Sequence, residues 1–229
     1  MTKPKSEMFD HINKAIKGQL VFDIGANQGQ MTRRYIGAGG KVVAVEPQSE
    51  LTSHRNFNGV FSIKHMCVAD KPGKIDFYEC VGHSVSSSCL KKWRNHYPEK
   101  EWRKITVPCV TLDMLIKEFG IPKFIKLDVE GYEDKVLDGL SQKIDLISFE
   151  FTKGFIDSSI RCVEILDKLK FKKIMPCIKR KLKRRSEGKK IRLYEIFEEF
   201  YNKEAAIKYL RKVSKMPNKK FQGDMLVIS

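Results

Sequence analysis

Several patterns that would place this chain in a narrow class are missing from it. No two of its six cysteines, at 67, 80, 89, 109, 162 and 177, stand in C-x-x-C spacing. That removes the usual zinc-ribbon and thioredoxin-type frameworks, and no other metal-ligand spacing stands out, so no metal is expected. No stretch reaches the roughly 18 apolar residues that a membrane span needs, and the first twenty residues lack a secretory h-region. Scattered cysteines in such a chain read as reduced thiols packed as small apolar side chains. The expectation is a soluble, cytoplasmic protein. Internal repeats and a convincing interdomain linker are absent too, which points to one domain over residues 1–229.

What is present suffices for a core. Of 229 residues 41% are hydrophobic and 10% aromatic, so pervasive disorder is excluded. The net charge of +16 is unevenly spread. Residues 1–150 carry 22 basic and 19 acidic side chains, and residues 151–229 carry 22 and 9. The positive field therefore belongs to the last third, above all to the run KRKLKRRSEGKKIR at 179–192. A surplus of this kind attracts polyanions or anionic membrane surfaces, although a solvated Lys-rich surface carries the same composition.

The most informative stretch is VFDIGANQGQMTRRYIGAG at 21–39. An apolar strand ends in an acid, a turn bracketed by Gly25 and Gly29 follows, and helical spacing begins at Met31. Asn27, between the glycines, tolerates the left-handed backbone that a tight turn needs. The next strand, KVVAVE at 41–46, also ends in an acid, Glu46, 23 positions after Asp23. An acid at that tip can accept both hydroxyls of a ribose.

Further elements alternate along the chain. Residues 1–18 form an amphipathic helical cover for one edge of the sheet, with Phe9, Ile12 and Ile16 on one face and Gly18 as its stop. Strands are expected at 60–68, 74–80, 105–110, 123–128, 145–151, 171–176 and 224–228. Helices are expected at 111–119, from Gly131 to 140, at 158–169 and, as one long amphipathic element, at 193–213. Residues 177–215 then form a basic insert plus helix ahead of the last strand. Between strands, GHSVSSSCL is polar and rich in hydroxyls, and the Trp93–Trp102 region mixes rings and cations, as a substrate-facing loop or short helix would, or equally a solvent-exposed helix whose two tryptophans dock on the core. The pattern is α/β, a doubly wound Rossmann-like sheet binding a nucleoside at its carboxyl edge.

The turn also discriminates between nucleosides. Gly25-x-x-x-Gly29 lacks the G-x-G-x-x-G arrangement that admits a pyrophosphate, and Asp23 would repel one. An acid there suits a ligand bearing a cationic amino group, which favours S-adenosylmethionine over a dinucleotide.

VFDIGANQG, AVEP, VADKPGKIDFYEC with SVSSSCL after it, and above all FIKLDVEGYEDKVLDGL followed by ISFEF resemble the FkbM family of class I methyltransferases. The resemblance implies a seven-stranded, mostly parallel sheet with its last strand reversed and helices on both faces. It also implies S-adenosylmethionine as methyl donor, and a hydroxyl of a sugar, glycan or other small molecule as acceptor. Carried across by position, Asp23, Gly25, Ala26, Asn27 and Gly29 would cradle the methionine end. Glu46 would take the ribose, and Ala69 with Asp70 the adenine. Lys126, Asp128, Glu130 and Glu133 match the central block.

A hydroxyl acceptor calls for a base. Asp128 is the first candidate, with Lys126, two positions before it and therefore on the same side, orienting it or simply pairing with it; Glu130, Glu150 and His83 are the others. Carboxylates at 130 and 133 are equally at home at a helix N-terminus. The competing reading is a nucleic-acid-binding protein or RNA methyltransferase that uses the basic last third. Against it, the run at 179–192 has no interleaved aromatics.

Overall fold

The computed structural model describes residues 7–181, 192–196, 200–216 and 222–229. In chain order it contains α1 (Glu7–Ala15), β1 (Leu20–Ile24), α2 (Gln30–Gly37), β2 (Lys41–Val45), β3 (Ser62–Lys64), β4 (Cys67–Val68), β5 (Gly73–Cys80) and β6 (Trp102–Val110). There follow α3 (Leu112–Phe119), β7 (Phe124–Leu127), α4 (Glu133–Asp138), β8 (Leu146–Thr152), α5 (Ile156–Lys168), β9 (Lys173–Lys181), β10 (Arg192–Ile196), α6 (Lys203–Ser214) and β11 (Gln222–Ile228).

The main sheet has the order β10-β9-β11-β8-β7-β1-β2-β3. Strands β3, β2, β1, β7 and β8 run parallel. β11 inserts between β8 and β9 and is antiparallel to both. The seven-stranded sheet with one reversed strand is therefore present, and β10 adds an eighth strand at its edge. β1 pairs with β2 on one side and β7 on the other, so the chain reverses its direction of travel across the sheet at β1. A crevice opens at such a point, beyond the carboxyl ends of the strands.

Helices cover both faces. On one, Phe9 and Ile12 of α1, Ile16 just after it and Tyr35 of α2 pack on Val21, Val42, Phe124, Leu146 and Leu226. These sheet residues belong to central strands, so α1 covers a face of the sheet and not the edge expected from sequence. On the other face Leu112, Leu115, Val136, Leu137, Val163, Leu166 and Leu210 bury Phe22, Ile125, Ile147 and Phe149. Thr111 caps α3, the helix expected at 111–119, by accepting a hydrogen bond from the Met114 amide, and Gly120 follows its last residue.

Two expectations need correction. The apolar run at 60–68 is two strands in two sheets: β3 ends the main sheet, while β4 joins β5 and β6 in a separate three-stranded sheet. Period-two patterning cannot show that a run changes partners midway. The long helix at 193–213 is also two elements. Arg192–Ile196 pairs antiparallel with the end of β9, and α6 starts only after Asn202, whose side chain accepts from the Ala205 amide. Leu193 and Ile196 fit a helical stripe, but long-range pairing with β9 overrides that local signal. The basic run at 179–192 is described only at its ends, as the paired backbones of β9 and β10; residues 182–191 lie outside the described residues. Among the described residues no helix is long and apolar enough to cross a membrane.

Candidate active site

The turn after β1 is held from three sides. The Gly25 and Ala26 amides donate to the Val45 carbonyl at the end of β2, at 2.9 and 3.1 Å. Gly25 has φ +79°, and a Cβ on it would stand 2.0 Å from the Asp128 carbonyl oxygen at the end of β7. Gly29, at φ +75°, precedes α2, and a Cβ there would meet the Phe57 ring at 2.8 Å. Asn27 takes up the left-handed conformation at φ 49°. Both glycines and Asn27 thus meet the backbone requirement read from their spacing.

The strand-tip acids converge on this turn. Glu46 is buried, and its two carboxylate oxygens accept from the Asn27 amide at 2.8 Å and the Gln48 amide at 3.0 Å. Burial pushes its pKa up to about 7 against the pull of those two amides. Asp23 is buried as well; its Oδ2 accepts from the Thr32 hydroxyl at 2.6 Å, while its Oδ1 has no protein partner. Burial raises its pKa, and Lys126 and the Thr32 hydroxyl oppose that shift.

Asp23 and Lys126 are register partners across β1 and β7. The Lys126 ammonium, itself buried, reaches Asp128 Oδ2 at 2.5 Å. The same-side relation of Lys126 and Asp128 expected from their spacing is thus realised as an ion pair.

Beyond β7 the chain makes a strained turn. Glu130 sits at φ 55°, a costly region for a residue with a side chain, and Gly131 follows at φ 90°. The Ser88 hydroxyl donates to the Glu130 carbonyl at 2.8 Å, and Glu133 Oε1 accepts from the amides of Val129 and Gly131. Glu133 is buried behind the turn, with its pKa raised to about 8 by desolvation. It therefore supports the turn from within the protein.

The turn presents Glu130 beside Asp128 and, from β8, Glu150. Carboxylate oxygens of the three lie within 4.8 Å of one another. Sequence reading placed these acids separately at strand tips, and the fold gathers them. Such a group could ligate a cation; Lys126 already brings positive charge to Asp128.

A cavity of about 620 Å³ joins the turn to this acid group. Asp23, Gly25, Ala26, Asn27, Glu46, Lys126, Asp128, Glu130 and Glu150 all line it. Gly29, Ala69 and Asp70 do not; Met66, Cys67 and Val68, just before Ala69, form the wall expected of Ala69 and Asp70. The roof is the 81–101 excursion between β5 and β6, which contributes His83, Ser84, Ser86, Ser87, Cys89 and Tyr97. His83 Nδ1 and Ser86 Oγ are 2.9 Å apart. Ser86 also hydrogen-bonds to Tyr97, whose pKa is raised by burial and, further, by the facing carboxylates of Glu130 and Glu150. Gln222 and Asp224 line the cavity without having been singled out from sequence, and Tyr97, which also lines it, belongs to the ring-and-cation region between strands. The acid opening the apolar DMLVI strand was a signal for Asp224; for Tyr97 nothing in its neighbourhood separated a cavity ring from a docking ring.

The roof is anchored by its rings. Trp93 is buried, stacks on Phe155 at 4.9 Å and on His96 at 5.5 Å, and covers Gly131, where a Cβ would stand 3.0 Å from its ring. The two docking alternatives for the Trp93–Trp102 region thus combine: the tryptophan packs inward while the hydroxyl-rich part faces the cavity.

A parallel sheet with one reversed strand, an acid-flanked glycine turn and a nucleoside-sized cavity at the switch point describe a class I methyltransferase. The chain matches the methyltransferase FkbM domain over residues 23–175, and it belongs to that family of S-adenosylmethionine-dependent methyltransferases. No curated protein matches the sequence. Among solved structures, it is similar to the precorrin-6y C5,15-methyltransferase of Geobacter metallireducens at 10% identity and TM-score 0.47, over 99% of this chain and 91% of that one. A methyltransferase of Archaeoglobus fulgidus that depends on S-adenosylmethionine is similar at 11% identity and TM-score 0.48, over 97% and 92%. The precorrin 8w decarboxylase of Methanobacterium thermoautotrophicum gives 10% and 0.47, over 100% and 92%.

Proposed function

We propose that the protein transfers the methyl group of S-adenosylmethionine to a hydroxyl of a sugar, glycan or other small molecule bound beneath the 81–101 roof. The observation carrying this reading is one cavity with two chemically different ends. One is the acid-flanked turn, and the other is an acid group facing hydroxyl-bearing and imidazole side chains.

The residues at the turn suit the donor. Asp23 Oδ1 is a buried carboxylate oxygen without a protein partner, suited to an ammonium. Each Glu46 oxygen accepts only one backbone amide, so lone pairs remain for two ribose hydroxyls. Gly25, Ala26, Asn27 and Gly29 would bring backbone close to the methionine part. Met66, Cys67 and Val68 would wall the adenine, with Ala69 and Asp70 behind them.

When bound, the sulfonium supplies an electrophilic methyl group. The protein's task is then to align a hydroxyl and take its proton. Asp128 is the base in this reading, oriented by its ion pair with Lys126. Glu130, Glu150 and the Ser86–Tyr97 pair would hold neighbouring hydroxyls of the acceptor. Among the described residues lining the cavity, an acceptor presenting phosphate would meet several carboxylates and one lysine, which favours an uncharged hydroxyl-bearing group over an RNA backbone.

The test is transfer from labelled S-adenosylmethionine to a panel of sugars, glycolipids and RNA. Asp128→Asn should lower turnover by about 100-fold or more while S-adenosylhomocysteine still binds. Methylation of RNA alone would overturn the acceptor assignment. Failure to bind S-adenosylhomocysteine would overturn the donor site.

A further inference from the structure

Two of the six thiols, 22 residues apart in sequence, meet at the wall of the cavity. Cys67 Sγ on β4 and Cys89 Sγ on the roof are 3.1 Å apart. Cys67 is buried, Cys89 is half-buried, and both line the cavity. The separation exceeds a disulfide bond length by only about 1 Å, a distance that small side-chain rotations can close. The other nearby thiol is Cys109, the register partner of Cys67 on β6, and its sulfur donates to the Lys71 carbonyl at 3.3 Å. Cys80, Cys162 and Cys177 are buried elsewhere.

The two cysteines belong to different segments of the wall. β4 follows Met66 on the donor side. Cys89 follows Ser88, whose hydroxyl grips the Glu130 carbonyl, and it closes the segment that carries His83, Ser86 and Ser87. A covalent link between them would tie the roof to the donor wall at the point where the chain crosses between the two.

We propose that Cys67 and Cys89 are a modification site, forming an intramolecular disulfide on exposure to a peroxide and reopening on exposure to a dithiol. The more exposed Cys89 reacts first. Its thiolate attacks one peroxide oxygen, the O–O bond breaks, and Cys89 becomes a sulfenic acid as one water leaves. The Cys67 sulfur then attacks the Cys89 sulfur; the S–S bond forms, the S–O bond breaks, and the Cys67 proton departs with the oxygen as a second water. Two thiols are oxidised by two electrons in all, and the peroxide is reduced by two. The hydrogen bond with Cys89 and, after it, burial raise the Cys67 thiol's pKa, which suits it to the resolving role and not to first attack.

The test uses the intact chain, reduced and then treated with hydrogen peroxide at a small molar excess. Peptide mapping should find a peptide joining Cys67 to Cys89, with the mass of two hydrogen atoms lost and restored by dithiothreitol. Free thiols should fall by two per chain from six. Cys89→Ser should abolish the loss in the folded protein, and Cys67→Ala should leave Cys89 as a dimedone-reactive sulfenic acid. The oxidised wild type should melt several degrees higher than the reduced one, roughly as a short closed loop predicts. Cross-linking mainly between Cys67 and Cys109, linkage only between chains, or an unchanged count of six thiols would overturn the proposal. None of these readouts depends on methyl transfer, so they stand or fall separately from the acceptor assignment.

Discussion

The Asp128 carbonyl oxygen occupies the place where a side chain on Gly25 would begin, 2.0 Å from the ideal Cβ position. The turn after β1 and the end of β7 are therefore in backbone contact. The residue that ends the donor-side strand and the residue proposed as base are set by one packing relation.

Gly25→Ala should consequently damage both fold and binding. The substitution meets a backbone atom, which cannot swing aside, and demands a positive φ. A loss of about 3 kcal/mol or more and no measurable S-adenosylhomocysteine binding are expected. Gly18→Ala is the control: its φ is +72° but nothing lies within 4 Å of the added carbon. It should cost only about 1 kcal/mol and leave binding intact. Thermal melts and calorimetric titration check both.

Glu46 should make donor affinity depend on pH. Its carboxyl has a pKa near 7, and only the ionised form offers lone pairs on both oxygens to ligand hydroxyls. Affinity for S-adenosylhomocysteine should therefore rise with pH up to about 7, by at most about tenfold per unit, and level off above it. Glu46→Gln should bind about 10- to 100-fold more weakly and lose that slope. Titrations between pH 6 and 8, roughly the span of the transition, decide it.

Glu133 should shape stability in the alkaline direction. Its pKa is about 8 in the folded protein against an ordinary 4.5, because desolvation disfavours the carboxylate. A raised pKa means the folded state holds the proton more tightly than the unfolded chain. The resulting stabilisation is complete below about 4.5 and is lost as pH rises through about 8. Glu133→Gln keeps an oxygen for the Val129 and Gly131 amides without the charge. Its melting temperature should gain on the wild type as pH rises through that window. A constant difference from acid to alkaline pH would contradict the assignment.

The roof anchor should separate acceptor turnover from donor binding. Trp93→Ala removes a buried ring from the stack with His96 and Phe155 and uncovers Gly131, a loss of about 3–5 kcal/mol. Gly154→Ala is gentler. The added carbon would stand 1.9 Å from His96 Nε2, the end of a side chain that can rotate outward. It should cost under about 1.5 kcal/mol, retain donor affinity and raise the acceptor KM. Melting curves and steady-state kinetics with a saturating donor distinguish the two.

Much of the donor side was legible because it depends on local backbone chemistry. Val21 and Phe22, then Val42 to Val45, could only be buried strands. Gly25, Asn27 and Gly29 permit the positive φ values that the turn uses. The helix from Leu112 to Phe119 was readable from Thr111 and Gly120 alone. What escaped was decided by remote partners. The run at 60–68 divides because β4 finds β6, and the apolar positions at 193–196 form a strand because β9 lies beside them. The cavity wall is likewise formed by Met66, Cys67 and Val68 in place of the expected Ala69 and Asp70.

The sequence by itself determined the alternation of strands and helices, the acids at the strand tips and the left-handed turn between them. Each of these is set by side-chain periodicity or by backbone freedom within a few residues. Only the tertiary structure decided that Asp128, Glu130 and Glu150 stand together, that Glu133 is sealed beneath them, and that Cys67 faces Cys89. These relations span up to 22 residues or cross between strands, and they exist only once packing has brought distant segments within contact distance.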